Sequence, residues 1–344
     1  MIDANLRLPA EWEPQSAVMI AWPHAGTDWA ERLAEVETTY VALAAAITRF
    51  EPLVIVVANT ALEARATARL HAAGVALACI RFIALPYDDT WLRDSGPITL
   101  RDDAGGFQLN DFRFTGWGGK FGAMQDDALI AGLVAAGVFG HAAHRRIDWA
   151  LEGGAIESDG AGSVLTTWRC LVQRHPEQSR EEMSAILREG LHAARVLWLD
   201  HGYLEGDDTD AHIDTLARFA PGQRIVFQAC DDASDKHHDE LVRMGEELAA
   251  LRTTDGRPYE LHPLPWAQPI IDEGRRLAAS YANYLIVNGA VLVPAYGDAA
   301  DDKAARIIGS AHPGREVVQV PCRPLIWQNG SLHCLTMQLP AGLA

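Results

Sequence analysis

Apolar and polar positions along this chain follow two periods, one near 2 and one near 3.6, and they do so in a recurring order. An irregular entry, Leu8-Pro9-Ala10-Glu11-Trp12-Glu13-Pro14, leads into the apolar strand Ala17-Val18-Met19-Ile20-Ala21-Trp22. Residues 30–50 have helical spacing, Leu53–Val57 reads as a buried strand, 61–73 as a helix closed by Gly74, and 80–83 as a further strand. From there one sentence repeats. Strands at 98–100 and 107–112 form a hairpin, followed by a helix over 127–136 and a strand near Arg146-Ile147. The second copy is 155–157, a turn at Asp159-Gly160-Ala161-Gly162, 164–167, a helix opening on the capping box Ser179 to Glu182, and 196–199. The third is 215–219, 225–228, a helix over 235–251, and 259–261. In the fourth, 284–287 and 290–293 meet at Asn288-Gly289, which predicts a type I′ hairpin; a helix over 301–310 and a strand at 317–320 follow.

That order is ββαβ, four times. A fifth copy is split: 325–327 and 331–339 at the C-terminus pair with the N-terminal elements, which closes a ring and removes exposed sheet edges. The expected fold is therefore α/β, a single domain over residues 1–344. A doubly wound sheet, the simpler alternative, is built from single crossovers and does not use repeated hairpins. Asp94, Glu152, His212, Asn283 and Cys334 stand at or near the first strand of their units, at intervals of 58, 60, 71 and 51 residues. In a closed ring such equivalent positions converge on the axis.

Composition narrows the setting. The chain has 344 residues, 49% hydrophobic and 22% charged, as in a globular protein with a sizeable core. No apolar run reaches the roughly 18 residues of a spanning helix, and Met1-Ile2-Asp3-Ala4 opens no export signal. Five cysteines without a Cys-x-x-Cys spacing suit reduced thiols in the cytoplasm better than disulfides or zinc. A net charge of −17 has the wrong sign for a phosphate backbone, so neither nucleic acid nor membrane is expected as a partner; a small cation is the ligand that this field attracts.

The convergent residues suggest chemistry. In Gly330-Ser331-Leu332-His333-Cys334-Leu335-Thr336 the alternation places the thiol on one face of a short strand, where a cysteine is most often a small buried hydrophobe. Asp94 follows Trp91 and Arg93 in a Gly-Pro turn, Glu152 precedes Gly153-Gly154, and His212 and Asp214 leave one face of an extended backbone. His212 and Asp214 with Asp208, Asp210 or Cys334 would make a divalent-metal site, but no second histidine stands at ligand spacing. A thiol, an imidazole and several carboxylates suit a guanidinium better. Carboxylates match its planar fork, Cys334 attacks the central carbon, and His212 protonates the departing ammonia and then activates water. Buried carboxylates beside thiol and imidazole raise both pKa values, so the empty site is expected to hold a neutral thiol.

The motifs Trp91-Leu92-Arg93-Asp94-Ser95-Gly96-Pro97, Leu151-Glu152-Gly153-Gly154, Asp207-Asp208-Thr209-Asp210-Ala211-His212-Ile213-Asp214, Leu277 to Tyr284 and Gly330 to Cys334 resemble those of agmatine deiminases. These belong to the wider group of bacterial-type peptidyl-arginine deiminases. Pro9 to Pro14 and Phe114-Thr115-Gly116-Trp117-Gly118-Gly119-Lys120 extend the likeness from about residue 8 to residue 340. The resemblance implies the pentein fold, a five-bladed α/β propeller of ββαβ units with pseudo-fivefold symmetry. It also implies hydrolysis of agmatine to N-carbamoylputrescine and ammonia in polyamine biosynthesis, with no metal and no cofactor. Carried over by position, Cys334 is the nucleophile, His212 the acid/base, Asp94 and Asp214 the guanidinium grip, and Glu152 a support for the histidine or the substrate. Trp91, Trp117, Asp208 and Asp88 are the substrate-binding candidates, and a homodimer is expected by analogy.

The chain departs from the usual pattern at Ala211, Thr215, Thr115-Gly116 and Ser331-Leu332, which leaves other guanidines open as substrate. Peptidyl-arginine is disfavoured by the absence of an export signal. Free arginine needs a cation for its α-carboxylate, and only Arg93 and Arg113 stand out. A metallohydrolase and a non-catalytic polyamine-binding protein are the rivals from other classes.

Overall fold

The computed structural model describes residues 6–343, so the opening Met1-Ile2-Asp3-Ala4 lies outside the described residues. Five mixed sheets share one pattern, an antiparallel pair followed by a parallel strand. Four of them are three-stranded and run in chain order. They are Ile98–Arg101, Phe107–Arg113, Ala143–Ala150; Ile156–Ser158, Ser163–Thr167, Arg195–Leu199; Ala217–Ala220, Arg224–Gln228, Glu260–Leu264; and Leu285–Val287, Ala290–Ala295, Glu316–Pro321. The fifth joins the two ends of the chain. Thr336–Pro340 lies antiparallel to Gln15–Ala21, with Met19 opposite Met337, and Leu53–Val57 and Ile80–Ala84 extend that sheet in parallel. No sheet closes on itself.

The continuous apolar runs are explained by burial on both faces. In Gln15–Ala21, Val18 and Ile20 join one hydrophobic cluster, and Ala17, Met19 and Ala21 join another; Leu53, Ile55 and Val57 divide from Val54 and Val56 in the same way. Helices Leu33–Ile47, Arg180–Leu191, His238–Ala250 and Asp301–Ala311 cross between successive strands. Ser179 and Glu182 make the expected reciprocal capping box.

Several expectations change. The helix expected over 127–136 is broken into Met124–Asp127 and Leu129–Ala135. The hairpin 287–290 keeps its two-residue loop, but only Gly289 has positive φ, so the turn is not type I′. Asn288 is instead held by Gln15, giving 2.8 Å from its amide to the Gln15 carbonyl and accepting 3.1 Å from the Gln15 N–H. Leu325–Gln328 is a 3₁₀ turn and not a strand, and the C-terminal strand begins only at Thr336. Cys334 therefore lies in the turn before that strand. A short helix, Trp168–Arg174, and a small hairpin, Ile271–Asp272 with Arg275–Arg276, were not expected.

Candidate active site

The five residues picked out by their spacing all occupy turns immediately ahead of the first strand of a sheet. Asp94 lies in the helical turn Leu92–Ser95 before Ile98, and Glu152 precedes the turn Gly153–Ala155 before Ile156. His212 precedes Ile213–Thr215 before Ala217, Asn283 stands two residues before Leu285, and Cys334 two before Thr336. All five are buried.

Close backbone approach brings them together. A Cβ on Gly154 would lie 2.6 Å from His212 Nδ1, 2.7 Å from Asp94 Oδ1 and 3.3 Å from Asp214 Oδ2, so glycine is what lets these three groups meet. The Gly154 N–H donates to Asp94 Oδ1 at 3.0 Å, and the Trp117 indole N–H to Asp94 Oδ2 at 2.8 Å. Trp117 reaches Asp94 from a left-handed backbone, φ 56°, flanked by positive-φ Gly116, Gly118 and Gly119. Cys334 Sγ lies 3.5 Å from Asp214 Oδ2 and accepts from the Asn283 amide at 3.1 Å. Asn283 also receives the backbone N–H groups of His333 and Cys334 on its own oxygen, so it fixes the turn that presents the thiol.

Behind them stands a second set of charges. His333 bridges Asp214 (Nδ1, 2.8 Å) and Glu11 (Nε2, 2.7 Å), and Glu11 shares the fully buried Arg218 with Glu157 at 2.8 Å each. Arg174 Nε holds Glu152 Oε1 at 2.7 Å and its Nη1 holds Asp210 at 2.6 Å. His212 lies 3.6 Å from Asp94 through Nδ1 and 3.6 Å from Glu152 through Nε2, too long for hydrogen bonds. Both ring nitrogens, Glu152 Oε2 and Asp214 Oδ1 are buried without a hydrogen-bond partner. The two carboxylate oxygens among them are unused acceptors, which fit a ligand rich in N–H donors.

The electrostatics follow from burial and neighbours. Burial, with Asp214 and Asp94 adding to it, pushes the Cys334 thiol well up, so it is neutral at rest. Burial works against the His212 cation, but Asp94, Cys170 and Glu152 outweigh it and the imidazolium is favoured. Burial lifts Asp94 to about 6 even with His212 opposing it. Burial also opposes Glu152, yet His212 and Arg174 bring it down to about 2. Asp214 is lowered in spite of burial, chiefly by His333.

A cavity of about 450 Å³ opens on Cys334 and Asp94, lined also by Trp91, Trp117, Phe121 and Asp208, with Asp28, Glu31 and Asp89 among the acidic groups. Trp91 packs on Gly330, where a Cβ would lie 2.3 Å from its ring. Asp208 accepts from Asn329 at 2.9 Å. Asp88 is a correction: it turns away and caps the next helical turn through Gln125, accepting at 2.7 Å from both its N–H and its side-chain amide. Its neighbour Asp89 lines the cavity instead, and burial raises it to about 7. Arg93 and Arg113 are not cavity cations either. Arg93 is buried 3.7 Å from Glu11, and Arg113 pairs with exposed Asp148 at 3.0 Å; the arginine at the cavity is Arg275. Among the described residues His212 and Asp214 do not gather with Asp208, Asp210 or Cys334 into a metal set, and Asp208 bonds Asn329 while Asp210 pairs with Lys120 and Arg174. Arg174, His333, Asn283, Asp89 and Arg275 received no role from the sequence. Only Asn283, at a repeat position, and His333, beside the cysteine, carried a signal.

The family model for Porphyromonas-type peptidyl-arginine deiminase matches residues 7–340. The agmatine deiminase of Stutzerimonas stutzeri is 35% identical, the alignment covering 97% of this chain and 95% of that protein. The solved structure of an agmatine deiminase from C. jejuni, a cysteine-to-serine variant with substrate bound, superposes with TM-score 0.91 at 30% identity, covering 98% and 97% of the two chains. The agmatine deiminase of Enterococcus faecalis does so with TM-score 0.89 at 27% identity, covering 99% and 98%.

Proposed function

The chain belongs to the Porphyromonas-type peptidyl-arginine deiminase family and is an enzyme acting on carbon–nitrogen bonds, and we propose that it hydrolyses agmatine to N-carbamoylputrescine and ammonia. The observation that carries this reading is the Cys334 thiol and the Asp94 carboxylate lining an acidic cavity, with Asp214 3.5 Å from the sulfur and His212 3.6 Å from Asp94 buried beside them and several of these polar atoms without hydrogen-bond partners.

Asp94 and Asp214 take the guanidinium N–H groups, which sets the central carbon over Cys334 Sγ. The substrate's charge offsets the field that keeps the thiol neutral, so the thiolate forms on binding and its proton passes to solvent. Sulfur attacks the carbon, and His212 gives a proton to one amino group as the C–N bond breaks and ammonia leaves. The amidino-thioether that remains is attacked by a water whose proton passes to His212. The C–S bond then breaks, returning the sulfur and releasing the substituted urea. Glu152, held by Arg174, keeps the imidazole oriented and cationic. Trp91 and Trp117 flank the methylene chain, and Asp208, with the acids of the mouth, faces the distal amine. Asp88 has no part in this.

The same reading takes 1–344 as one catalytic domain and the five sheets as blades of a propeller with pseudo-fivefold order, joined by the pairing of the termini. It places the enzyme in the cytoplasm, where its five unpaired cysteines stay reduced, as a homodimer supplying polyamine synthesis. Among the described residues no helix is long and apolar enough to cross a membrane. Arg275 at the mouth favours one second reading, a guanidine that also bears a carboxylate.

The test is ammonia release from agmatine, arginine and a peptidyl-arginine in parallel, with and without chelator, beside Cys334→Ala. Chelator-resistant release from agmatine, abolished in the variant, is expected. Release from arginine alone would move the assignment to the second reading. Activity retained by Cys334→Ala would overturn the mechanism.

A further inference from the structure

His212 has two sides. Nδ1 faces Asp94, whereas Nε2 faces Glu152 in a buried corner whose one use in the reaction above is to orient the imidazole. That corner holds a second cysteine. Cys170, in the short helix Trp168–Arg174, is fully buried, and its Sγ, a His212 nitrogen and a Glu152 oxygen all lie within 4.8 Å of one another. Two of the atoms there, His212 Nε2 and Glu152 Oε2, face each other as a buried ion pair but make no hydrogen bond. Buried polar atoms are left unpaired rarely, and such a gap asks for an explanation.

The spacing supplies one. Nε2 and Oε2 stand 3.6 Å apart, too far for a hydrogen bond. It is close to the about 3.4 Å edge of a tetrahedron built on bonds of 2.0–2.1 Å, the geometry of protein-bound zinc. Arg174 occupies only Oε1 and leaves Oε2 free. Thiolate, imidazole and carboxylate together suit a borderline-soft ion such as Zn²⁺ over Mg²⁺ or Ca²⁺.

We propose that Cys170, His212 and Glu152 form an inhibitory site for a zinc-like divalent ion, three protein ligands with a fourth position open to water. The ion enters through the acidic mouth past Asp94, and binding releases two protons to solvent, one from the Cys170 thiol and one from the His212 imidazolium. It takes the imidazole lone pair that proton transfer needs and leaves Cys334 untouched. Inhibition rests on the deiminase reading above; binding does not. The sign is opposite to that of a metallohydrolase: chelator restores activity and does not remove it.

Co²⁺ is the probe, because a thiolate ligand gives it a near-ultraviolet charge-transfer band and four-coordination gives it visible bands, read with no substrate present. The band is expected in the unaltered enzyme and in Cys334→Ala, and is expected to vanish in Cys170→Ala and Cys170→Ser. Absence from the unaltered enzyme overturns the site. So does loss in Cys334→Ala with retention in the Cys170 variants, which would put the ion on the nucleophile. Should the Cys170 variants not fold, the band is read in Cys334→Ala carrying His212→Ala as well: its loss supports the site and its persistence overturns it. In turnover, Zn²⁺ is expected to inhibit reversibly, with at least tenfold weaker potency in Cys170→Ser; equal potency in both overturns the link to activity. Failure of agmatine turnover would leave the cobalt spectrum unchanged, which separates the two readings.

Discussion

In the proposed reaction Asp94 grips substrate only as a carboxylate, and burial has lifted its pKa to about 6. Below that value it is protonated and has lost an acceptor for the guanidinium. kcat/KM for agmatine is therefore expected to rise about tenfold per pH unit up to about 6 and then level, and Asp94→Asn to remove that limb together with most of the activity. Stability carries the opposite sign. The folded state holds this proton more tightly than the unfolded chain, whose aspartates titrate near 4, so the contribution of Asp94 to stability falls as pH rises from about 4 to about 6. Asp94→Asn is expected to raise stability at pH 8 by on the order of 1–3 kcal/mol, read by urea unfolding; a variant no more stable than the parent would show that the carboxylate is not strained. Gly154→Ala tests the convergence of the site. Its methyl would press on His212 and Asp94, and kcat is expected to fall about 100-fold with the melting temperature little changed. The residues of this site were legible where chemically active side chains of different types stood at one place in successive repeats, as with Asp94, Glu152, His212 and Cys334. Asp88 and Asp89 were not separable: both precede the same turn, and only the fold sends one toward Gln125 and the other into the cavity.

Trp168–Arg174 shows where reading by element stops. At seven residues it is under two turns, so it offers too few positions for a period to appear, and its start is set by the Thr167 side chain accepting from the Cys170 N–H. Yet it carries both Cys170 and Arg174, and Arg174 has no exposed side-chain surface. One guanidinium there satisfies Glu152, Asp210 and the Thr209 carbonyl, which ties the element to the loop that ends in His212. Arg174→Met strands the buried Glu152, whereas Asp210 keeps Lys120, and is expected to cost about 3–5 kcal/mol by denaturant unfolding. Arg174→Lys keeps the charge but loses the fork; it is expected to recover part of the stability and little of kcat. Equal recovery of both would mean that charge alone suffices. The long helices and hairpins were readable because each spans enough residues for a period to show. The turn at Cys334 was read as strand because Leu332, Cys334 and Thr336 alternate, whereas Asn283 holds that segment in a turn from another sheet.

At the scale of the whole molecule the repeats were legible and their joints were not. Pairing of Gln15–Ala21 with Thr336–Pro340 follows from the need to cover edges, but the buried line Asp214–His333–Glu11–Arg218–Glu157 joins residues more than 300 positions apart through side chains that look like surface charges in the sequence. What the sequence does expose is the sum of charge, −17, and the structure shows acids gathered at the cavity mouth: Asp28, Glu31, Asp89 and Asp208. A field of one sign over a cleft concentrates counter-ions and speeds their capture, and salt screens it over about 10 Å at 0.1 M. For a cationic guanidine, kcat/KM is accordingly expected to fall roughly threefold to tenfold between 10 mM and 500 mM monovalent salt. kcat is expected to stay flat, because the groups around Cys334 are buried and so shielded from ions. Steady-state kinetics at fixed pH decide it. A kcat that drops with salt would place the effect on the chemistry at Cys334, and a kcat/KM indifferent to salt would mean that only contacts inside the cavity, and not the charge of the whole chain, bring the substrate in.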